Sequence, residues 1–492
     1  MSVWRSCRGA AVLAVVVALV TSAAVGAQQT RPASADSGQT ADGAGTGSDT
    51  DALLAELRRL QTAIDALQTE LADSRRQTAA LEAVLQALRE EMAEERELLN
   101  AKLGTLEQSK VESGSKYRVR LFGLALMQLV SARGSVDNID LPLLALESVP
   151  GDSGGNLSAA VRQTFLGVAV FGPQLRGMDT SANVQVDFFG GFPDVNDGLS
   201  APGVRLKTIA FAVDGRQTSI RAGQTAPFFS ALSPTSIAST AYPALSSAGN
   251  IWAWVPQVYV ERRISRPGAT TLVLQAGVLD ALTGELPAGE YSRLATAGER
   301  SRLPASAARI GWRRGEERVQ AVGGGFYYSR QNWGYDRGVH AWAATGDFEL
   351  TLTPKIGLSG ELYHGQAIGG LGGGAHSSVL FAGPPDDPAS KVRPLKSSGG
   401  WGQLKVKATP RLEVNTAMGI DRSRPEWTGA LLLPPNDETP SASRNASAFV
   451  NVIYQPRSSL IFSAEYRRLW TRRFDGRSWL ADHVSVSSGF VF

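Results

Sequence analysis

Side chains that could catalyse a reaction are few and scattered in this sequence. It has four histidines and one cysteine among 492 residues. His376 stands next to Ser377, and a histidine near a serine is the base and nucleophile of many hydrolases. However, no serine lies in a G-x-S-x-G sequence, and no H-E-x-x-H sequence occurs. We therefore predict no enzyme activity, no metal site and no cofactor, and a hydrolase stays the weaker alternative.

Charged side chains at alternate positions of predicted strands could instead select solutes by charge. Basic members outnumber acidic ones, and a narrow channel with a basic wall concentrates anions because it focuses the electric field. The alternative is that each basic residue pairs with a carboxylate on a neighbouring strand. We predict a weak preference for small anionic solutes. The residues predicted to form a pore constriction and to set its selectivity are Arg162, Asp187, Arg221, Gln224, Phe228, Phe229, Arg309, Lys405, Lys407 and Arg467.

The overall charge argues against a nucleic-acid partner. The formal net charge is only +3, and charged residues make up 19% of the chain. Binding to nucleic acid needs a concentrated basic patch, which this composition does not suggest. Glycine is abundant, with 52 residues, which suits the tight turns of a β-rich fold.

Residues 1–27 have the pattern of a secretory signal peptide. Arg5 and Arg8 precede an apolar run at 10–20, and small residues end the segment. The run is shorter than the roughly 20 residues that a transmembrane helix needs. Cys7 lies in this segment, so we predict neither disulfide nor thiolate chemistry in the mature chain.

The next two segments differ sharply in amino-acid composition and pattern. Residues 28–50 are rich in Ala, Gly, Ser, Thr and Asp and are predicted to be a flexible linker. In residues 51–112, Leu and Ile recur at spacings of three and four over roughly seven heptads, which predicts a coiled coil. We expect this coil to lie in the periplasm and to link subunits. The alternative is a lone amphipathic helix packed on a domain.

Residues 113–492 predict an all-β transmembrane barrel of about sixteen antiparallel strands. Several segments alternate cleanly, as where Leu460 and Phe462 alternate with Ser459 and Ser463. Sixteen strands leave an aqueous lumen, although fourteen or eighteen strands stay open as alternatives. The predicted strands are 117–130, 159–171, 180–190, 203–213, 217–224, 253–263, 269–280, 304–314, 317–330, 338–350, 356–366, 397–407, 410–420, 444–455, 458–470 and 478–492.

Short turns and long connections alternate between these strands. Turns such as Thr353-Pro354 and Gln455-Pro456 follow even-numbered strands, whereas longer connections follow odd-numbered ones. Tight turns at one end and loops at the other are typical of bacterial outer-membrane barrels. The third long loop, 225–252, holds several Phe, Tyr and Pro residues. We expect it to fold into the lumen as a constriction, the alternative being an outward loop in a trimer contact.

The C-terminal segment His483–Phe492 has a period of two and ends on an aromatic residue. In an outer-membrane barrel the last strand must close onto the first, and its outward aromatics lie at the membrane interface. We therefore predict that Phe490 and Phe492 form the signal read by the barrel-assembly machinery.

Parts of the sequence resemble the DcaP-like outer-membrane porins. The resemblance lies in 162–173 (R-Q-T-F-L-G-V-A-V-F-G-P), 183–191 (N-V-Q-V-D-F-F-G-G), 222–234 (A-G-Q-T-A-P-F-F-S-A-L-S-P) and 247–257 (S-A-G-N-I-W-A-W-V-P-Q). It implies a periplasmic coiled coil joined to a sixteen-stranded trimeric barrel. It also implies passive uptake of small, often anionic, solutes through the bacterial outer membrane.

The predicted partners follow from these expectations. A barrel in that membrane contacts outer-membrane lipid and lipopolysaccharide, and the resemblance implies a homotrimer. An alternative to the porin is a structural tether, in which the barrel serves only as an anchor for the periplasmic coil.

Overall fold

The computed structural model describes two separate parts of the chain. One consists of residues 56–57, 59–62, 64–66, 68–73, 75–80, 82 and 86, and the other of residues 117–148, 150–151, 153–192, 202–266, 269–285, 293–315, 319–424 and 442–492. The predicted signal peptide (1–27), the predicted linker (28–50) and much of the predicted coil (51–112) lie outside the described residues.

The described residues between 56 and 86 are all helical and exposed. Leu57, Leu60, Ile64 and Leu71 are each 51–56% exposed. An exposed apolar stripe at this spacing is what a helix offers to a coiled coil. The coiled coil stays a prediction. Among the described residues, no helix is long and apolar enough to cross a membrane.

The second part is built from strands. They are β1 (Arg118–Arg133), β2 (Ser135–Val136), β3 (Ala145–Leu146), β4 (Gly155–Ala160), β5 (Phe165–Phe171), β6 (Asp179–Asp187), β7 (Arg205–Asp214), β8 (Thr218–Thr225), β9 (Val255–Arg266), β10 (Thr270–Leu279), β11 (Ala305–Arg314), β12 (Gln320–Asn332), β13 (Gly338–Thr353), β14 (Ile356–Gln366), β15 (Val379–Phe381), β16 (Val392–Pro394), β17 (Lys396–Thr409), β18 (Leu412–Arg424), β19 (Ala442–Arg457), β20 (Leu460–Arg473) and β21 (Ser478–Val491).

The long strands close into one antiparallel barrel. Each pairs with its neighbour in sequence, and β21 pairs with β1 over Leu124–Arg133 to complete the ring. β4 and β5 both pair with β1, so together they make the second strand of a sixteen-stranded wall. The two short hairpins, β2–β3 and β15–β16, lie in connections. The predicted barrel of about sixteen antiparallel strands is therefore confirmed.

The two faces of the wall differ in polarity. On β21, Val484 and Val486 are 45% and 50% exposed, whereas Ser485 and Ser487 are 1% and 2% exposed. Successive side chains on a strand point to opposite faces, so the outward face is apolar here and the inward face is polar. This is the arrangement of a barrel with lipid outside and polar groups inside.

The two ends of the barrel also differ. The end that carries Arg118 and Phe492, here called the terminal end, has short turns such as the one between β13 and β14. The opposite end, here called the loop end, has connections of up to 29 residues, as between β8 (ending at Thr225) and β9 (beginning at Val255). The predicted segregation of short turns from long connections is thus present in the structure.

The seam between β1 and β21 is closed by the C-terminal residue. The Gly123 amide donates to the Phe492 carbonyl at 2.9 Å, and the Phe492 amide donates to the Gly123 carbonyl at 3.2 Å. The Phe492 ring lies over Gly123, because a Cβ placed on that glycine would come within 2.7 Å of the ring. The last residue therefore belongs to the wall.

We expect Phe492→Ala to lower the yield of folded barrel several-fold, because it removes the ring that covers the seam. A matched control is Phe462→Ala, which removes an outward ring of similar exposure (42% against 41%) from β20. Heat-modifiable electrophoretic mobility would measure the folded fraction. Equal yields from the two variants would contradict both the seam argument and the predicted assembly signal, which also includes Phe490.

Candidate pore constriction

The connection between β8 and β9, residues 226–254 and here called the inner loop, lies inside the barrel. The Thr345 hydroxyl of β13 donates to the Phe229 carbonyl at 2.9 Å. The Thr235 amide donates to the Gln403 side chain of β17 at 2.8 Å. Both partners lie on strands across the barrel from β8, so the loop spans the lumen.

Two adjacent phenylalanines fix the start of the inner loop. Phe228 stacks on Tyr259 of β9 with ring centres 4.6 Å apart, and Phe229 stacks on Tyr327 of β12 at 5.4 Å. They are 5% and 0% exposed. Burial of this kind stabilises the position of the loop. The two rings predicted for the constriction therefore anchor the loop and offer no surface to a passing solute.

The middle of the inner loop is held by a buried ion pair on β20. Arg467 bonds Glu465 at 2.7 Å and also donates to the Ser239 hydroxyl at 2.5 Å. Glu465 in turn accepts a hydrogen bond from Ser236. The Arg467 side chain is only 2% exposed. Arg467 thus holds the loop, and its charge is neutralised locally.

A carboxylate on β14 makes a further attachment. Glu361, 1% exposed, accepts hydrogen bonds from the Ser230 hydroxyl and, at 3.5 Å, from the Leu232 amide. Sequence analysis did not select Glu361, because nothing near it along the chain indicates that a loop 130 residues earlier would cover it.

The middle of the inner loop is also clamped by Gln163. Its Oε1 accepts from the amides of Thr240 at 2.8 Å and Ala241 at 3.1 Å, and its Nε2 donates to the Ala238 carbonyl at 2.9 Å. Gln163 lies in the irregular segment between β4 and β5, where the wall strand is interrupted. The interruption frees backbone and side-chain groups to bind the loop, which explains why the single predicted strand 159–171 is two strands.

A second connection also folds inside the barrel. Residues 367–395, here called the second inner loop, place Ile368 and Leu371 in the same buried cluster as Phe229. The Trp252 amide donates to the Leu371 carbonyl at 3.0 Å. The two inner loops therefore pack on each other. The inward course of this Gly-rich segment was not predicted from the sequence.

The two inner loops are also joined by a serine and a histidine. The Ser247 hydroxyl lies 2.6 Å from Nε2 of His376. Burial lowers the pKa of His376 to about 4, so the ring is neutral at pH 7. The sequence had suggested Ser377 as its neighbour in a catalytic pair. The structure gives His376 a different serine, and Ser247 is 0% exposed.

Five of the six predicted basic residues form ion pairs. Arg221 and Lys405 pair with a carboxylate on a neighbouring strand, as the alternative interpretation of the sequence had it, whereas the other three pairs lie within one strand, two strands apart or between connections. Lys407, the sixth, makes no ion pair with any described residue. The pairs are Arg162–Asp140 (2.7 Å), Arg221–Asp214 (3.2 Å), Arg309–Asp347 (2.7 Å), Lys405–Glu413 (3.3 Å) and Arg467–Glu465 (2.7 Å).

The predicted acidic residue Asp187 is paired as well. Its two oxygens accept from Nε (3.1 Å) and Nη2 (2.7 Å) of Arg205, a bidentate contact. Arg205 also donates to the Ala241 carbonyl at 3.1 Å, so this pair is another anchor of the inner loop. Sequence analysis missed Arg205, although its spacing of two from Lys207 places both side chains near one face of β7.

Lys207 is the buried cation that sequence analysis missed. It is 7% exposed and makes no ion pair with a described residue. Its ammonium donates to the Thr240 carbonyl and lies 5.2 Å from the Phe165 ring centre and 5.6 Å from that of Trp254. Aromatic faces attract a cation, which offsets part of the cost of burying it.

Gln224 does not line the lumen, contrary to the sequence prediction. It pairs with Ile209 of β7 and lies on the same face of β8 as the exposed Ile220. Arg221 pairs with Tyr259, whose ring meets the inner loop, so Arg221 faces inward. Positions three apart on a regular strand face opposite sides, and both could not have been inward.

A cavity of about 290 Å³ lies beside the inner loop toward the terminal end. Thr235 of the loop forms part of its lining. Its charged lining residues are Lys355, Lys405, Lys407 and Glu349, so lysines outnumber carboxylates. This is the part of the lumen where a solute would meet the exposed cations that the sequence predicted. Among the described residues, no group of three or more His, Cys, Asp or Glu side chains could hold a metal ion.

The sequence matches no protein-family model and no curated protein. The structure is similar to the outer membrane channel DcaP of Acinetobacter baumannii, with a TM-score of 0.58 and 16% identity over 78% of this chain and 100% of that chain. It also matches an anion-selective porin from Comamonas acidovorans (TM-score 0.46, 11% identity, 77% and 100% covered) and OprB of Pseudomonas putida (0.44, 11%, 75% and 94%). The first likeness shows a shared fold, and the other two are too distant to carry an argument.

Proposed function

We propose that this chain is an outer-membrane porin through which small hydrophilic solutes diffuse passively. The observation that carries the proposal is the closed sixteen-stranded wall with an apolar outward face and a polar inward face. An apolar outer face suits lipid, and a barrel of this size encloses an aqueous lumen. The inner loop then acts as the constriction, and the shared fold with DcaP, described as an outer membrane channel, supports this assignment.

A weak preference for anions is part of the proposal. The cavity beside the inner loop presents three lysines and one glutamate. Lys207 adds a cation that is not neutralised by any described carboxylate. The predicted cations Arg162, Arg221, Arg309 and Arg467 are paired with carboxylates, so they contribute less to the potential along the pore. The preference should therefore be modest.

The assembly and location follow from the same proposal. We place the barrel in the bacterial outer membrane as a homotrimer, with the N-terminal coil in the periplasm and lipid and lipopolysaccharide around the wall. The barrel-assembly machinery would insert it. The exposed apolar residues Leu57, Leu60, Ile64 and Leu71 support a role for the helix in association.

The structure disfavours the hydrolase alternative. A nucleophile must be accessible to its substrate, yet Ser247, the serine in contact with His376, is fully buried between the two inner loops. The contact has an evident structural role, since it joins the loops. A measurement of ion conduction is needed to distinguish the tether alternative from the porin.

We expect the purified full-length protein to produce discrete current steps in a planar lipid bilayer, because a porin has a polar lumen that is open at both ends of the barrel. Heat-denatured protein from the same preparation is the control for contaminating channels. A folded protein that inserts but never conducts would favour the tether. Ester turnover that His376→Ala abolishes would instead favour a hydrolase.

A further inference from the structure

Three arginines lie directly opposite one another on the outward face of the barrel. Arg472 of β20 pairs with Arg444 of β19, and Arg444 pairs with Arg422 of β18. All three are exposed. Paired positions on adjacent strands share a face with Cβ atoms only about 5 Å apart, so three like charges in line destabilise the bare wall. We call these three residues the arginine row.

Among the residues that the structure describes, no carboxylate forms an ion pair with the arginine row, whereas the inward cations Arg309, Lys405 and Arg467 each have one. Asp482, the outward carboxylate on neighbouring β21, is already engaged by Arg468 at 3.1 Å and by the Tyr466 hydroxyl at 2.6 Å. The repulsion within the row is therefore not offset by any carboxylate of the described residues.

The row lies next to an apolar outward row, at the loop end of the wall. The next outward row toward the terminal end consists of Trp470, Ala446 and Ile420, which pair across the same three strands. On the other side, β18 ends with the exposed Arg424. The row thus lies between these apolar residues and the loop end, which faces the cell exterior in a porin. In the outer membrane proposed above, the exterior side is where the phosphate groups of the outer-leaflet glycolipid lie.

We propose that the arginine row binds the phosphate groups of lipid A, the phosphorylated glycolipid of the outer leaflet. Guanidinium groups bind phosphate oxygens in bidentate fashion, and strands about 4.8 Å apart space three of them over roughly 10 Å. A phosphorylated headgroup would supply the missing negative charge, while its acyl chains cover the apolar row beneath. The inference rests on the outer-membrane placement proposed above and concerns a surface that the pore does not use.

The test compares two triple variants of the full-length protein in detergent. In one, Arg422, Arg444 and Arg472 become Gln. In the control, three exposed arginines at the terminal end become Gln, namely Arg262, Arg266 and Arg314. Binding of lipid A micelles should weaken roughly tenfold or more in the first variant and stay near the parent value in the second. A third variant has Lys at the three row positions. It keeps the positive charge but loses the bidentate geometry of the guanidinium group, so it should bind lipid A with intermediate strength.

The outcomes decide the proposal. Equal lipid A binding by parent and Gln variant, or equal binding of dephosphorylated lipid A by the parent, would overturn it. So would competition by inorganic phosphate alone at matched phosphate concentration, which would assign the site to the free ion. A change of oligomeric state with lipid A binding intact would assign the surface to a second copy of the chain. Conductance is measured on the same samples. A non-conducting protein that still binds lipid A would contradict the proposed porin function but leave the proposed lipid A site supported.

Discussion

The double variant Arg221→Glu/Lys405→Glu should shift the reversal potential in a salt gradient from weak anion preference to cation preference. Each substitution changes the local charge by two units, and each leaves a former partner, Asp214 or Glu413, without its cation. We chose these two positions because their side chains are the more exposed ones. Their side chains are 44% and 33% exposed, against 2% for Arg467, so mobile ions reach them.

The expected size follows from simple electrostatics. A unit charge roughly 12 Å from a permeating ion is worth on the order of 1 kcal/mol at an effective dielectric constant of about 20. Salt at physiological strength screens this over a Debye length of about 8 Å, so the shift should grow as the salt concentration falls. A change of four charges is enough to reverse a weak preference.

The control is Arg262→Glu/Arg314→Glu, which makes the same change in charge on the outward face near the terminal end. It should leave the reversal potential close to that of the parent, because those side chains do not line the lumen. A double variant at Arg221 and Lys405 that also matches the parent would show that neither residue lies on the conduction path.

The sequence was a good guide to the strands because their pattern is local. The predicted strand 356–366 coincides with β14 (Ile356–Gln366), and the other predicted strands overlap their observed counterparts. The alternation of apolar and polar residues can be recognised within each strand, without knowledge of distant parts of the chain. The short-turn end was predicted for the same reason, since Gly and Pro mark turns locally.

The candidate site was predicted less well because its contacts are distant in sequence. Arg309 meets Asp347 across 38 residues, and Ser230 meets Glu361 across 131. Composition indicated that the segment 225–252 would pack against something, but it could not identify the groups on the wall that receive it. For the same reason, the buried and paired state of Arg467 was not foreseen from its place on a strand.

The second largest effect is expected from the clamp on the inner loop. Gln163→Leu keeps much of the side-chain volume but leaves the Thr240 and Ala241 amides and the Ala238 carbonyl without their partner. Ala238 and Ala241 are 2% and 0% exposed, so water does not replace the lost bonds while the loop stays docked. Each buried group left unsatisfied costs about 1–3 kcal/mol, and the costs together favour release of this part of the loop.

The barrel itself should still fold with Gln163→Leu, because the inner loop keeps its attachments at Phe229 and Arg467. We expect open-channel current noise to rise several-fold as the freed middle part of the loop moves in the lumen. The matched control is Gln128→Leu. Gln128 is an inward glutamine, 0% exposed, whose amide bonds only Ser487 of the wall at 3.3 Å. If the two variants are equally quiet, Gln163 does not hold the constriction, and its three contacts are a consequence of a loop that other residues position.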